Sequence, residues 1–267
     1  MSTLGTSASA LPALFLSHGA PNVVLYPSPT RDFLSQLGLT LPRPRAIVVM
    51  SAHWETDQPM LTGSAQPETI HDFYGFEPAM YQMRYAAPGA PTLVTDILTR
   101  LAEAGIAART DPQRGLDHGA WSPLMLMYPN ADIPVIQLSL QTAAGPALAL
   151  ELGRLLRPLR EQGVLLIGSG NATHNLRALQ RAQPDATPPA WVSDFAHWLR
   201  QRVASGDTPA LLDYAAQAPY AQQNHPSAEH FLPLFFALGA GNPQQAGQLL
   251  FDRYTYGALA MDSYAFH

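Results

Sequence analysis

The sequence predicts a single α/β domain in which a central, mostly parallel (mixed) sheet is covered by helices on both faces, with the active site at the C-terminal ends of the strands. Three observations lead to this fold class. Short apolar runs of strand length alternate with longer segments of helical periodicity. The apolar runs lack strict alternation, which is typical of strands buried on both faces. With 267 residues, 47% of them hydrophobic, the chain can build one large core.

Four apolar runs have the length and composition of buried strands. The predicted strands cover residues 11–16, 46–51, 133–140 and 164–169. Five other segments show the apolar spacing of helices, several with a Pro at the start or a Gly after the end. The predicted helices cover residues 30–37, 92–104, 147–160, 190–203 and 228–238. The C-terminal tail from residue 248 alternates like an edge hairpin, with Gly257 at its turn.

No internal repeat and no break in composition divides the chain. The segment 181–189 is rich in Pro and polar residues and is interpreted as a surface connection, not a domain boundary. The sequence therefore predicts one domain spanning residues 1–267, present as a monomer or a small homo-oligomer.

Composition excludes several classes of chemistry. The chain has no Cys and no Lys, since all 15 of its cationic residues are Arg. Thiolate nucleophiles, iron–sulfur clusters, disulfides and lysine Schiff bases are excluded. The formal charge of −5 argues against a nucleic-acid partner. The N-terminal residues lack the basic region of a secretory signal, and no apolar stretch is long enough to span a bilayer, so we expect a cytoplasmic enzyme without a membrane partner.

Histidines follow or close several of the predicted strands. His18 ends the first strand, His53 ends the second, and His174 follows the fourth, while His118 and His230 precede apolar segments. Because ligands bind outside the carboxyl ends of strands in open α/β sheets, we expect these side chains to meet at one edge. Neutral imidazole is a common metal ligand, and a site built from it suits Fe(II), Zn(II) or a similar divalent ion.

Other interpretations of these residues stay open. A single His at a strand end is ordinarily a structural residue. His118 is either a ligand or a free imidazole whose orientation Asp117 fixes, and Glu55 or Glu229 could complete a site of two His and one carboxylate. The glycines of the "GSGN" segment after the fourth strand are interpreted as room for the backbone to approach a bound ion or substrate.

Seven segments together resemble the class III extradiol ring-cleaving dioxygenases, in particular the DOPA 4,5-dioxygenase-like branch. They are "LFLSHGAP", "AIVVMSAHW", "TIHDFYGFEPAMY", "GLDHGAW", "MYPNADIPVIQLSL", "GSGNATHNL" and "EHFLPLFFALGA". The resemblance extends over about residues 11–259, in the same order and with similar spacing. It implies a single catalytic domain whose activity inserts both atoms of O2 into a DOPA-like catechol, giving a muconic semialdehyde-type product.

The resemblance also implies a site. In the branch, the metal is held by the histidines at the positions of His18, His53, His174 and His230, and the position of His118 is credited with acid–base or substrate contacts. The wider superfamily uses two His and one Glu, which leaves open whether Glu229 or His230 faces the metal. It also leaves open whether His174 is a permanent ligand or a catalytic base. The expected working metal is Fe(II), although Zn(II) can occupy such a site in purified protein because the site's affinity for zinc is generally higher.

Two alternatives compete with the dioxygenase prediction. A zinc-dependent hydrolase could use the same imidazoles to activate water, and a catalytically silent binding protein could keep the fold. For a catecholic amino acid, the sequence offers Arg84, Arg114 or Arg177 for the carboxylate. It offers Phe73, Tyr74 or Trp121 for stacking on the ring, although such aromatic residues are as often core.

Overall fold

Continuous apolar runs form the centre of one eight-stranded sheet. The computed structural model describes residues 10–180 and 183–267. The strands of the sheet and of one separate hairpin are β1 Ala13–Ser17, β2 Ala46–Glu55, β3 Met60–Thr62, β4 Arg109–Asp111, β5 Val135–Leu140, β6 Val164–Gly170, β7 Gln248–Phe251, β8 Tyr254–Thr255, β9 Leu259–Ala260 and β10 Ser263–Phe266. The strand order in the sheet is β4-β3-β5-β2-β6-β1-β10-β7, while β8 and β9 form the hairpin.

The middle of the sheet is parallel and its margins are mixed. Strands β5, β2, β6 and β1 pair in parallel, whereas β10 and β7 on one side and the β3–β5 pair on the other are antiparallel. Every residue of β1, β5 and β6 is buried. Burial on both faces explains why these strands show no polar–apolar alternation.

Helices cover both faces of the sheet. They are α1 Pro29–Thr40, α2 Pro91–Glu103, α3 His118–Met127, α4 Gly145–Leu156, α5 Ala190–Ser205, α6 Thr208–Leu212, α7 Tyr214–Gln217, α8 Ala221–Asn224 and α9 Pro233–Ala240. Side chains of β1 enter two separate cores alternately: Phe15 packs in the core with α2, α4, α5 and α9, and Leu14 packs in the core with α1 and α3. The predicted single-domain α/β fold with a mixed, helix-covered sheet is confirmed.

The C-terminal tail differs in detail from the predicted edge hairpin. Strand β10 lies inside the sheet between β1 and β7, and only β7 is at the edge. The turn of the β8–β9 hairpin contains Gly257 at φ 72° and, next to it, Tyr256 at φ 52°, both in the left-handed region. The predicted helix 228–238 begins later, at Pro233.

Parts of two sequence-based expectations lie outside the described residues, namely the N-terminal segment 1–9 and the first two residues of the predicted loop 181–189. Within the ranges that the structure describes, no helix combines the length and apolar character needed to cross a bilayer.

Candidate active site

The carboxyl ends of three adjacent strands bring histidines to one edge of the sheet. His18 directly follows β1, His53 lies near the end of β2, and His174 follows β6. Strand β6 pairs in parallel with both β1 and β2. These three strand ends therefore lie side by side, as the sequence predicts.

Glycines of β6 bring a fourth histidine, His230, to the same edge. A side chain on Gly168 would overlap the carbonyl oxygen of Pro233, and one on Gly170 would overlap that of His230. The Asn171 N–H donates to the carbonyl oxygen of His230 at 2.8 Å. The close approach that these glycines allow is therefore between the β6 backbone and the backbone that carries His230, whereas the sequence predicted an approach to a bound ion or substrate.

Three of the four predicted ligands form one group. Nε2 of His53 lies 3.1 Å from Nε2 of His18, and the ring of His230 is centred 5.5 Å from that of His18 and 4.8 Å from that of His53. One nitrogen of each ring lies within 4.8 Å of the others. The side chains of His18 and His230 are buried, and that of His53 is 20% exposed.

Ser169 determines which nitrogen of His18 carries the proton. The Ser169 hydroxyl donates to the carbonyl oxygen of Gly119 at 2.5 Å. That carbonyl lies in α3, and the residue four positions on is Pro123, which has no N–H to offer. Because the hydroxyl proton is used there, Ser169 Oγ can only accept from His18 Nδ1, 2.9 Å away. Nε2 of His18 is left as an unprotonated lone pair.

Carboxylates act on the other two imidazoles in the same way. His230 Nδ1 donates to Glu229 Oε1 at 3.0 Å, and His53 Nδ1 faces Asp72 Oδ2 at 3.7 Å. Acceptors at Nδ1 favour the tautomer with a free Nε2. Of the two neighbours that the sequence left open, His230 is the one whose ring groups with those of His18 and His53. Glu229 lies behind it and accepts from its Nδ1.

The arrangement fits a divalent metal ion. Burial, with the neighbouring imidazoles adding to it, holds the pKa of His18 and of His230 well below the ordinary value. It lowers the pKa of His53 to about 3. All three imidazoles are therefore neutral at physiological pH, as metal ligands must be. Two Nε2 lone pairs facing each other repel unless a cation lies between them. Metal–nitrogen bonds of 2.0–2.1 Å at tetrahedral angles would place such nitrogens about 3.3 Å apart, close to the observed spacing of the His18 and His53 atoms.

His118 lies beside this group and is held by Asp72. The His118 N–H donates to Asp72 Oδ1 at 2.9 Å, and its Nδ1 lies 2.9 Å from Asp72 Oδ2. Burial alone would raise the pKa of Asp72, but the bonds from His118 outweigh it and lower that pKa to about 2. The ring centre of His118 is 3.9 Å from that of His53. With Nδ1 occupied, Nε2 is the nitrogen of His118 that is free to exchange a proton.

Asp117, which sequence analysis offered as the residue orienting His118, has another role. It caps α3 through the Ala120 N–H, accepts from the Ser51 hydroxyl at 2.7 Å and pairs with Arg114 at 3.1 Å. Burial, with Asp72 nearby adding to it, raises the pKa of Asp117. Asp117 therefore supports the wall of the site from behind.

His174, the fourth predicted ligand, lies on the other flank. Its ring stacks on that of His230 with centres 3.4 Å apart and an interplanar angle of 10°. It groups with Glu229 and His230, not with His18 and His53. Burial lowers its pKa to about 4, so it is neutral at physiological pH and able to accept a proton.

These five histidines line a cavity of about 480 Å³. The cavity is otherwise largely aromatic and apolar, with Phe73, Phe76, Tyr256, Leu176 and Leu259 among its walls. Of the residues predicted for substrate contacts, Phe73 and Tyr74 line it. Trp121 is instead buried in the core, where its indole N–H donates to Ile70.

None of the three predicted arginines is among the described residues that line this cavity. Arg84 binds backbone carbonyls next to His71, Arg114 pairs with Asp117, and Arg177 is exposed.

Sequence reasoning missed Asp72 and Ser169. Asp72 lies within the quoted "TIHDFYGFEPAMY" segment, so an acidic residue next to His71 was the available signal. Ser169 is 151 positions from His18, and nothing in the local sequence reports such a contact.

Comparisons with known proteins found a matching family and several relatives. Residues 12–266 match the family described as the catalytic LigB subunit of aromatic ring-opening dioxygenase. The chain is 40% identical to the 4,5-DOPA dioxygenase extradiol of Beta vulgaris, with 98% of this chain and 99% of that one covered. It is 38% identical to the 4,5-DOPA dioxygenase extradiol of Escherichia coli (strain K12), with 96% and 94% covered. A crystal structure of an uncharacterized Escherichia coli K12 protein superposes with a TM-score of 0.82 at 35% identity, covering 96% of this chain and all of that one.

Proposed function

Since the chain belongs to the LigB family and is an extradiol ring-cleaving dioxygenase, we propose that it cleaves a DOPA-like catechol with Fe(II) as its working metal. The observation that carries this proposal is the convergence of three neutral imidazoles, His18, His53 and His230, between two further imidazoles in a cavity large enough for a catechol ring. Bound Fe(II) supplies a redox-active centre at which a catechol and dioxygen can meet, whereas Zn(II) has no redox chemistry.

His118 and His174 are the proton-transfer groups of this proposal. A catechol has two hydroxyl groups, and its diol chelates a cation more strongly as these groups lose their protons. Nε2 of His118 accepts one proton, and the Asp72 carboxylate stabilises the imidazolium that forms. His174 accepts the other proton. It is neutral, and its ring makes no hydrogen bond to any described residue. Both imidazolium groups later return their protons to oxygen atoms of the ring-opened product, which retains both atoms of O2.

The cavity walls orient the ring. Phe73, Phe76 and Tyr256 offer aromatic faces and edges for an aromatic substrate. Together with Leu176 and Leu259, they give the cavity mostly apolar walls, and such walls strengthen the electrostatic effect of each imidazole. His174 serves as a base in this proposal, and it would be a fourth ligand of the metal only in the absence of the catechol.

Residues 1–267 act in this proposal as one catalytic domain, as a monomer or small homo-oligomer whose partners are the catechol and O2. The charge and hydropathy of the sequence favour a cytoplasmic location with no nucleic-acid or membrane partner.

Oxygen uptake tests the proposal. Metal-free protein is reconstituted with Fe(II) under anaerobic conditions and then mixed with air-saturated buffer and L-DOPA or another catechol. We expect one O2 consumed per catechol, with appearance of the semialdehyde absorbance. The same protein loaded with Zn(II) should bind catechol without consuming oxygen. Absence of uptake with every catechol of a panel would overturn the proposed reaction, and ester hydrolysis by the zinc form would point to a hydrolase.

A further inference from the structure

A second cavity, of about 470 Å³, adjoins the first. The residues that line both are His18, Gly19, Ala20, Asn22 and Tyr256. Tyr256 has a left-handed backbone at φ 52°, a conformation that is costly for a residue other than glycine and is found preferentially at functional sites. The side chain at the boundary of the two cavities is thus held there at some cost to the backbone.

The two cavities differ in charge. Among the residues that the structure describes, the first is lined by the Asp72 carboxylate and by no arginine. The second is lined by one cation and one anion, Arg253 and Asp185. The only ion-pair neighbour found for Arg253 among the described residues is Asp252, at 3.6 Å, and the Arg253 side chain is 66% exposed. Its guanidinium is therefore available to a ligand.

Backbone contacts connect Arg253 with the histidine group. The Met261 N–H donates to the carbonyl oxygen of Arg253 at 2.7 Å. The Met261 side chain lies over Gly19, where an added Cβ would be 2.9 Å from its terminal methyl carbon. Gly19 follows His18, so Met261 links the β7–β8 connection that carries Arg253 to the group of histidines.

We propose that the second cavity binds the amino-acid tail of a catecholic α-amino acid, with Arg253 on the carboxylate and Asp185 on the ammonium group. This inference rests on the proposed function and specifies how its substrate is recognised. A carboxylate tail left in the first cavity would lie near Asp72 with no arginine to pair with, which is unfavourable for a desolvated anion. If the ring lies beside the histidines and the tail extends past Tyr256, the carboxylate of the tail faces Arg253 and its ammonium group faces Asp185.

The test compares substrates that differ only in the tail. L-DOPA carries both charges, dopamine lacks the carboxylate, 3-(3,4-dihydroxyphenyl)propionate lacks the ammonium, and 4-methylcatechol lacks both. With Fe(II)-loaded protein, Arg253→Gln should raise the ratio of KM for L-DOPA to KM for 4-methylcatechol about tenfold, with kcat for L-DOPA within about twofold of wild type. Asp185→Asn should raise KM for L-DOPA and dopamine relative to the propionate.

One further arginine variant serves as the control. Arg177→Gln changes an exposed arginine outside both cavities and should leave the KM ratio unchanged. Unchanged ratios in both Arg253→Gln and Asp185→Asn would overturn the subsite while leaving ring cleavage intact. Failure of the wild-type protein to cleave 4-methylcatechol or any other catechol would instead refute the proposed function.

Discussion

Replacing Ser169 with alanine tests how the metal site is held together. Its hydroxyl lies between His18 Nδ1 and the Gly119 carbonyl, and Ser169 is fully buried. Without it, one buried donor and one buried acceptor lose their partner, and each such loss costs about 1–3 kcal/mol. We therefore expect the free energy of unfolding of the metal-free protein to fall by about 2–5 kcal/mol. Loss of the fixed His18 tautomer should weaken metal binding about 10–100-fold, as is typical for residues that orient a ligand.

Two measurements and one matched variant separate these effects. Urea denaturation of the metal-free protein gives the stability, and competition with a chromogenic chelator gives the Zn(II) affinity. Ser139→Ala is the control, because Ser139 is a fully buried serine on β5 that binds Thr56 and the Met60 N–H, away from the histidines. It should lose stability and keep its metal affinity. Wild-type zinc affinity in Ser169→Ala, or an equal loss in Ser139→Ala, would refute the tautomer argument.

Four further predictions concern the site and its surroundings. Asp72→Asn should lower kcat about 10–100-fold with a smaller change in KM, since His118 loses the anion that stabilises its protonated form. Steady-state kinetics at saturating Fe(II) would check this. A kcat within twofold of wild type would contradict it. Gly168→Ala should destabilise the fold by about 1–3 kcal/mol, because the new methyl group overlaps the Pro233 carbonyl; thermal unfolding would show it. Chelation of the metal should lower the Tm, since an ion at 100 times its Kd adds about 2.7 kcal/mol to the folded state alone; calorimetry with and without metal would show the difference. Burial lowers the pKa of His225 to about 4, whereas an unfolded His has a pKa near 6.5. The metal-free protein should therefore lose up to about 3 kcal/mol of stability from this group as the pH falls from about 6.5 to about 4, and His225→Gln should lose less in urea titrations across that range.

Sequence patterns predicted the fold where the signal is local. The four central strands are continuous apolar runs, and their predicted positions agree with β1, β2, β5 and β6 to within a few residues. Helix α3, residues His118–Met127, was not predicted because it is buried on almost every side and contains Pro123, so it shows no periodic apolar stripe. Strands β3 and β4 have three residues each, too few for a pattern.

The site was predictable to the extent that topology alone determines it. Parallel strands direct their carboxyl ends to one edge, so histidines at those ends meet wherever such a sheet forms. The partners that orient the imidazoles could not be predicted this way. Asp72 reaches His118 across 46 positions of sequence from a segment without regular secondary structure, and such contacts depend on tertiary packing that no short window of sequence contains.

Pro123 has an effect well beyond the helix that contains it. A residue with an N–H at that position would donate to the Gly119 carbonyl and release the Ser169 hydroxyl to rotate. The hydroxyl could then donate to His18 Nδ1, which would move the imidazole proton to Nε2 and close that nitrogen to a cation. An imino acid with no functional group thus sets the chemical state of a side chain it does not touch, by withholding one hydrogen atom from a carbonyl.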